Sequence, residues 1–375
     1  VWRIRYLPVT IVREASRCLQ PVFWYPMRST FAALLFFALA GCSSETVFLT
    51  GAGATFPNII YQRWMIDYNG LHPNVQMNYQ SIGSGGGIRQ FSDGTVDFGG
   101  SDAPMNDSAI AALDNNVLHI PTVLGADVLV YNLPEVTTTL RFTQDVVADM
   151  FLGRITRWND ARIRAINPGV TLPDRPIIIV YRSDGSGTTY IWTDYLSKIS
   201  SEWAERVGRG TSVSWPVGIG GRGNEGVAGT VRQTPGAAGY VELGYALINN
   251  MPAGILRNRA GNFIEPTIPS VTAAAAGAMA TMGPDTDFRV SITDPEGADA
   301  YPVASFTWLL MHREYADQPK ARALIDFVWW ALTDGQAVGP ELGYAPLPAQ
   351  MQPWIADRLA AITVEGASVW QRPDR

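Results

Sequence analysis

Apolar and polar positions alternate through Val75, Met77 and Tyr79, the two-residue period of a half-buried strand. Upstream, Ile60, Trp64 and Tyr68 recur at every fourth position, which predicts one face of a helix stopped by Gly70. Val96-Asp97-Phe98-Gly99-Gly100 reads as a second short strand. Pro176-Ile177-Ile178-Ile179-Val180-Tyr181 reads as a buried β-branched strand, followed by a helix through Trp192 and Leu196. Strand and helix signals keep alternating from residue 46 onward, which predicts α/β architecture. No repeat at solenoid spacing is visible and no long Pro/Ser linker divides the chain. Two lobes would therefore have to be joined by short crossovers.

Composition narrows the classes. The 375 residues suffice for two domains of ordinary size, and 47% hydrophobic against 17% charged content suits packed cores. A net charge of −6 gives no reason to expect a nucleic-acid partner. His72, His119 and His312 lie far apart, and there is no HExxH, CxxC or Cys/His cluster, so a metal enzyme or a cofactor site is not expected.

The first 45 residues read as an upstream extension and a targeting segment. Met27-Arg28 opens a positively charged stub, and Phe31 to Ala40 form an apolar run that is too short for a spanning helix of about 20 residues. Leu39-Ala40-Gly41-Cys42 then fits a lipoprotein signal, with Cys42 as the lipidated first residue of the mature chain. Residues 1–26 have no place in such a signal, which puts the expected start at Met27.

Three segments could cradle an anion. Thr50-Gly51-Ala52-Gly53-Ala54-Thr55-Phe56-Pro57 combines small residues with Thr55 as an expected N-cap and Pro57 in the expected first turn. Ile82-Gly83-Ser84-Gly85-Gly86-Gly87-Ile88 follows a strand, so its glycines are expected to form a nest of N–H groups or a flexible loop, with Ser84 adding a hydroxyl. In Arg182-Ser183-Asp184-Gly185-Ser186-Gly187-Thr188-Thr189, Arg182 supplies a fixed fork of donors that Asp184 could hold. No Lys precedes the Ser/Thr as a P-loop requires. Gly218-Ile219-Gly220-Gly221-Arg222-Gly223 matches GxGxxG, with Glu242 nineteen residues beyond. Asn224-Glu225-Gly226 is a poor first helical turn, however, and the stretch is expected to be a glycine-rich loop beside the cleft.

Asp102, after the Val96–Gly100 strand, has two open readings. It could cap the segment after Pro104, or it could sort oxyanions by protonation. An ionised carboxylate only accepts hydrogen bonds, so it can take one from protonated phosphate and can only repel sulfate.

Taken together, TGAGATFP (50–57), YQSIGSGGG (79–87), VDFGGSDAP (96–104), RSDGSGTT (182–189), WPVGIGGRGNEG (215–226) and GAAGYVE (236–242) resemble the substrate-binding protein of phosphate-specific ABC transporters. The resemblance runs from about Thr50 to at least Pro348. It implies a two-lobe periplasmic binding protein fold, type II-like and hinge-connected, with lobe I at 46–124 plus 300–375 and lobe II at 125–299. It implies a phosphate site of Thr55, Phe56, Ser84, Asp102, Arg182, Ser186, Gly187 and Thr188, supported by Asp184. The implied protein is a monomer, lipid-anchored through Cys42 at the periplasmic or cell-surface side, that hands inorganic phosphate to the membrane subunits of an importer and needs no catalytic residue, metal or cofactor. Two departures stand out: Asp127 near the crossover, expected to alter closure or a partner surface, and Gly85 after Ser84, expected to loosen its loop. The rival classes are an extracytoplasmic phosphatase using Ser84 or Asp102 as nucleophile, a receptor for sulfate or another oxyanion, and a structural or sensory lipoprotein.

Overall fold

The computed structural model describes residues 45–280, 282–283 and 286–373. The expected anchor Cys42, and all of 1–44, lie outside them. Among the described residues no helix is long and apolar enough to cross a membrane.

Strand follows helix through both halves of the chain. In order these are β1 (Val47–Gly53), α1 (Asn58–Leu71), β2 (Val75–Ser81), α2 (Ser84–Ser92), β3 (Phe98–Ser101) and β4 (Leu118–Tyr131). Next come β5 (Ile178–Arg182), α3 (Gly187–Ile199), β6 (Ile219–Gly221), α4 (Gly223–Gln233), β7 (Ala237–Glu242), α5 (Leu243–Ile248) and β8 (Ala304–Met311). The strands form one eight-stranded sheet in the order β2-β1-β3-β8-β4-β7-β5-β6.

β4 organises this sheet. All fourteen of its residues are buried, as expected for a strand covered on both faces. Leu118 to Ala126 pair antiparallel with β8, whereas Asp127 to Tyr131 pair antiparallel with β7. The strand therefore changes partner between Ala126 and Asp127. Pro121 sits inside it where the register with β8 slips by one residue, a bulge that tolerates a missing N–H. The extra residue, Thr122, is tied by its hydroxyl to Tyr61 Oη (2.8 Å) and by its carbonyl to Gln336 Nε2 (3.0 Å).

On one side β1, β2 and β3 run parallel to one another, and on the other so do β5, β6 and β7, while β3 meets β8 and β7 meets β4 antiparallel. Each of β1, β2, β5, β6 and β7 leads directly toward a helix, so several helix amino ends gather at the carboxyl edges of the strands, where α/β sheets place their ligands. Aromatic packing fixes that edge. Trp192 stacks on Tyr240 with centroids 5.3 Å apart. The Tyr240 hydroxyl in turn accepts the Arg182 N–H (3.1 Å) and bonds Thr189 Oγ1 (2.6 Å).

Helix α1 differs from expectation at both ends. It passes through Gly70 to Leu71, because the helix ends only where His72 leaves helical geometry. Pro57, not Thr55, precedes its first residue, and no side chain caps it, since the Thr55 hydroxyl is engaged elsewhere.

Candidate functional site

The three glycine-containing segments meet. Gly85 N–H donates to Gly185 O (2.9 Å). Gly187 N–H, at the start of α3, donates to Ser84 Oγ (3.1 Å), and Asp102 N–H donates to the same oxygen (3.1 Å). Asn224, in the first turn of α4, reaches Thr55 Oγ1 from Nδ2 (2.7 Å) and from its N–H (3.3 Å). Residues far apart in sequence thus form one cluster in which Thr55, Ser84, Asp102, Arg182, Ser186 and Thr188 are all 3% exposed or less.

Ser84 to Gly87 form neither a nest nor a loop. They open helix α2, with Gly85 in its first turn. Its missing Cβ lets α2 approach the Gly185 backbone, which a Cβ would meet at 3.2 Å. Gly187 is more constrained: a Cβ there would overlap Ser84 Oγ and stand 2.5 Å from Asp102 Oδ2.

Arg182 is the cation of the cluster. Its Nε and Nη2 donate to Asp184 Oδ1 (2.9 Å) and Oδ2 (2.6 Å), a two-handed grip that holds the guanidinium plane. Burial works against its charge, but Asp184 outweighs that and raises its pKa. Burial likewise opposes ionisation of Asp184, yet bonds from Arg182 and Gly223 N–H hold its carboxyl below the usual range. The pair is ionised.

The hydroxyls are oriented by what they already accept. Thr188 Oγ1 accepts Arg182 Nη1 (3.1 Å) and Asn224 Nδ2 (3.1 Å). Thr55 Oγ1 accepts two bonds from Asn224. A hydroxyl has two lone pairs and one proton, so both threonines keep only a proton to offer. The Asn224 amide cannot flip without cost, because its Oδ1 accepts Glu242 N–H (3.0 Å). Ser186 Oγ caps α3 by accepting Thr189 N–H (3.0 Å), which also leaves its proton to give. The carbonyls of Thr55 and Phe56 are drawn backward by Tyr245 Oη (2.7 Å) and Tyr344 Oη (2.6 Å). Among the described residues, the N–H groups of Thr55 and Phe56 have no protein acceptor. Donors, helix amino ends and one guanidinium therefore converge, which is the equipment for an oxyanion.

Asp102 is the exception in this donor field. It caps nothing: Asn106 caps the following helix. Its Oδ1 accepts Thr307 Oγ1 (2.7 Å) and its Oδ2 accepts Ser84 Oγ (3.3 Å). Burial pushes its carboxyl up to about 7, against lowering by Thr307, Arg182 and Ser84. Asp127, expected near the crossover to alter closure or a partner surface, is fully buried.

Residues 40–334 match the PBP superfamily domain. The phosphate-binding protein PstS of Pasteurella multocida is 42% identical over 92% of this chain and 99% of its own length. The phosphate-binding protein PstS of Xylella fastidiosa strain 9a5c is 44% identical, with 82% and 84% covered. This chain belongs to the PstS family. Among solved structures, the periplasmic phosphate-binding protein PfluDING, bound with phosphate, superposes with a TM-score of 0.66 at 21% identity, covering 83% of this chain and 92% of that one. The fold is thus the two-lobe α/β fold of periplasmic phosphate-binding proteins.

Within this candidate site, four contributors were not read from the sequence: Asn224, Thr307, Tyr245 and Tyr344. Asn224 had a signal that was discounted. Asn224-Glu225-Gly226 does form the first turn of α4, because Val227, Ala228 and Val231 bury its inner face, and packing overrides weak helix propensity. The GxGxxG stretch is a strand end and helix start that enters the cluster through Asn224, rather than a loop beside it.

Proposed function

We propose that this chain captures inorganic phosphate outside the cytoplasm and delivers it to the membrane subunits of an ABC importer. The observation that carries this is the polarity of the cluster: the hydroxyls of Thr55, Ser186 and Thr188 are each left with a proton to donate, and the carboxyl of Asp102 lies in the same buried cluster. In this reading the N–H groups of Thr55 and Phe56 and the hydroxyls of Thr55, Ser186 and Thr188 donate to phosphate, and Ser84 turns its one hydroxyl proton from Asp102 to the ligand. Gly187 contributes its N–H, which leaves Ser84 Oγ for the ligand, and Arg182 contributes the Nη protons that Asp184 and Thr188 do not take, while Asp184 holds the guanidinium. Asp102 accepts a hydrogen bond from a proton that phosphate still carries and sulfate has lost.

The role is binding rather than catalysis. A phosphatase would need a base or metal to activate Ser84 or Asp102; Ser84 Oγ instead accepts two main-chain N–H bonds. Lobe I is assigned to 46–124 plus 300–375 and lobe II to 125–299, a division supported by the change of partner along β4 at Ala126–Asp127. Closure of the lobes would bring α2 onto the loop before α3. Anchoring through a lipid on Cys42, a monomeric state and a periplasmic or cell-surface location complete the proposal. Titration of phosphate-stripped protein with phosphate and sulfate tests it, and phosphate-dependent growth of a deletion strain complemented with the chain separates transport from a purely structural or sensory role.

A further inference from the structure

Two carboxyl groups beside the site bury oxygens that have no donor. Asp127 and Glu242 are both fully buried. Among the described residues, neither Oδ1 nor Oδ2 of Asp127 has a hydrogen-bond partner, and Glu242 Oε1 has none. The two residues stand directly opposite each other across β4 and β7, so their side chains leave the same face of the sheet. Both main-chain groups of Asp127 point away from β7: its N–H donates to Val303 O (2.9 Å) and its carbonyl accepts Tyr301 Oη (3.1 Å). Glu242 N–H also points elsewhere, to Asn224 Oδ1. Asp127 and Glu242 are therefore a non-hydrogen-bonded pair, the cross-strand arrangement that brings side chains closest, with Cα atoms about 4.5 Å apart.

We propose that Asp127 and Glu242 form a buried proton-binding site that couples phosphate capture to proton uptake. The inference rests on the phosphate reading above. Acceptor-only oxygens on directly paired residues of one sheet face lack a donor, and one proton held by the pair supplies it. The surroundings demand it. The groups that bear on Asp127 are Asp102, Glu242, Arg182, Tyr240 and Tyr301, and Glu242 also meets Tyr344 and Tyr245. Arg182 is the cation among them and is already gripped by Asp184. Burial, with Asp102 and Glu242 next, pushes the Asp127 carboxyl well up. Burial is also the largest cause for Glu242, against bonds from Gly244 N–H and Tyr344.

Phosphate arriving between Arg182 and Asp102 adds negative charge and so raises the proton affinity of the pair. By reciprocity the proton strengthens phosphate binding. Affinity then falls as pH rises through the deprotonation of the pair. Asp127→Asn fixes an amide donor toward Glu242 and mimics the protonated state permanently, whereas Asp127→Val removes one acid outright.

The test is calorimetry of the phosphate-stripped full chain with inorganic phosphate, in buffers of matched pH and different ionisation enthalpy. Asp102 is retained throughout, so the difference between proteins reports the pair. The expected result, at pH values where the ligand-free pair is partly deprotonated, is up to about one more proton taken up per phosphate by the unaltered chain than by either variant, with a correspondingly steeper loss of affinity there, up to about tenfold per pH unit. Equal proton numbers in all three proteins at every pH would overturn it. An unaltered chain that gives no heat with phosphate counts against the phosphate reading instead. The pair is then judged without ligand, by infrared spectroscopy at about pH 8. A protonated-carboxyl carbonyl band removed by Asp127→Val supports it, and absence of that band overturns it.

Discussion

Gly187 N–H donates to Ser84 Oγ over 3.1 Å, joining residues 103 positions apart in the chain. The bond ties the amino end of α3 to that of α2. It exists because nothing projects from the Gly187 Cα into the space that Ser84 and Asp102 occupy. Gly187→Ala should therefore weaken phosphate binding by roughly 100-fold or more, since overpacking costs about 1–3 kcal/mol before the lost N–H contact is counted. The circular dichroism spectrum should be unchanged, because α3 favours alanine at this position. Calorimetry checks the affinity, and an unaltered value would contradict the packing argument.

Arg182→Ala removes the guanidinium and strands Asp184 in a half-buried site. Breaking such a pair costs about 3–5 kcal/mol of stability, and phosphate loses charge-assisted bonds of about 1.5–3 kcal/mol each, so its affinity should fall roughly 100-fold or more. Arg182→Lys keeps the charge but not the fork, and should recover only part of the loss. Equal affinities for the lysine variant and the parent would show that charge alone suffices.

Asp102 makes selectivity depend on pH. Its carboxyl is pushed up to about 7 by burial. Above that value it is ionised and can only accept; below it, the acid carries a proton and can donate to sulfate. Sulfate should therefore compete with phosphate more effectively as pH falls through about 7, and in Asp102→Asn at every pH. Competition titrations across that range measure it.

The same shift affects stability. A folded-state value raised from 3.8 to about 7 means that the native chain binds more protons than the unfolded one within that window, so stability contributed by Asp102 falls as pH rises across it. Ligand-free Asp102→Asn should consequently melt higher than the parent above pH 7, by at most about 4 kcal/mol, and the gap should narrow toward pH 4. A gap independent of pH would show that ionisation of Asp102 is not its source.

Asn224 sets the polarity of two hydroxyls through one amide. Asn224→Asp keeps the shape but replaces the Nδ2 donor with an acceptor. The hydroxyls of Thr55 and Thr188 would then turn toward residue 224 and away from an anion. A loss of roughly 10-fold or more in phosphate affinity is expected, from about 1.5–3 kcal/mol per bond to a charged group. Retained affinity would show that the threonines do not donate to the ligand.

Much of the candidate site was legible in the sequence because each of its segments is local. Arg182, Asp184, Ser186, Gly187 and Thr188 lie within seven residues, and the strand before them and the helix after them have unambiguous periods. The glycines of 85–87 were harder, since glycine favours loops in isolation and becomes helical here only through contact with Gly185 and the buried Phe91. Thr307 and Tyr344 were out of reach. Each is an ordinary core residue on its own segment, and each gains its role by meeting Asp102 or Phe56 across more than 200 positions. Asp127 was visible as an out-of-place charge, but its burial depends on the pairing of β4 with β7.

The most direct measurement is calorimetric titration of the phosphate-stripped chain with phosphate, arsenate and sulfate at about pH 8, where Asp102 is ionised. The account predicts saturable binding of phosphate with a dissociation constant below about 10 µM, displacement by arsenate, which keeps a proton at that pH, and no heat from sulfate. Absence of phosphate binding at millimolar excess, or sulfate binding as tight as phosphate, would contradict it.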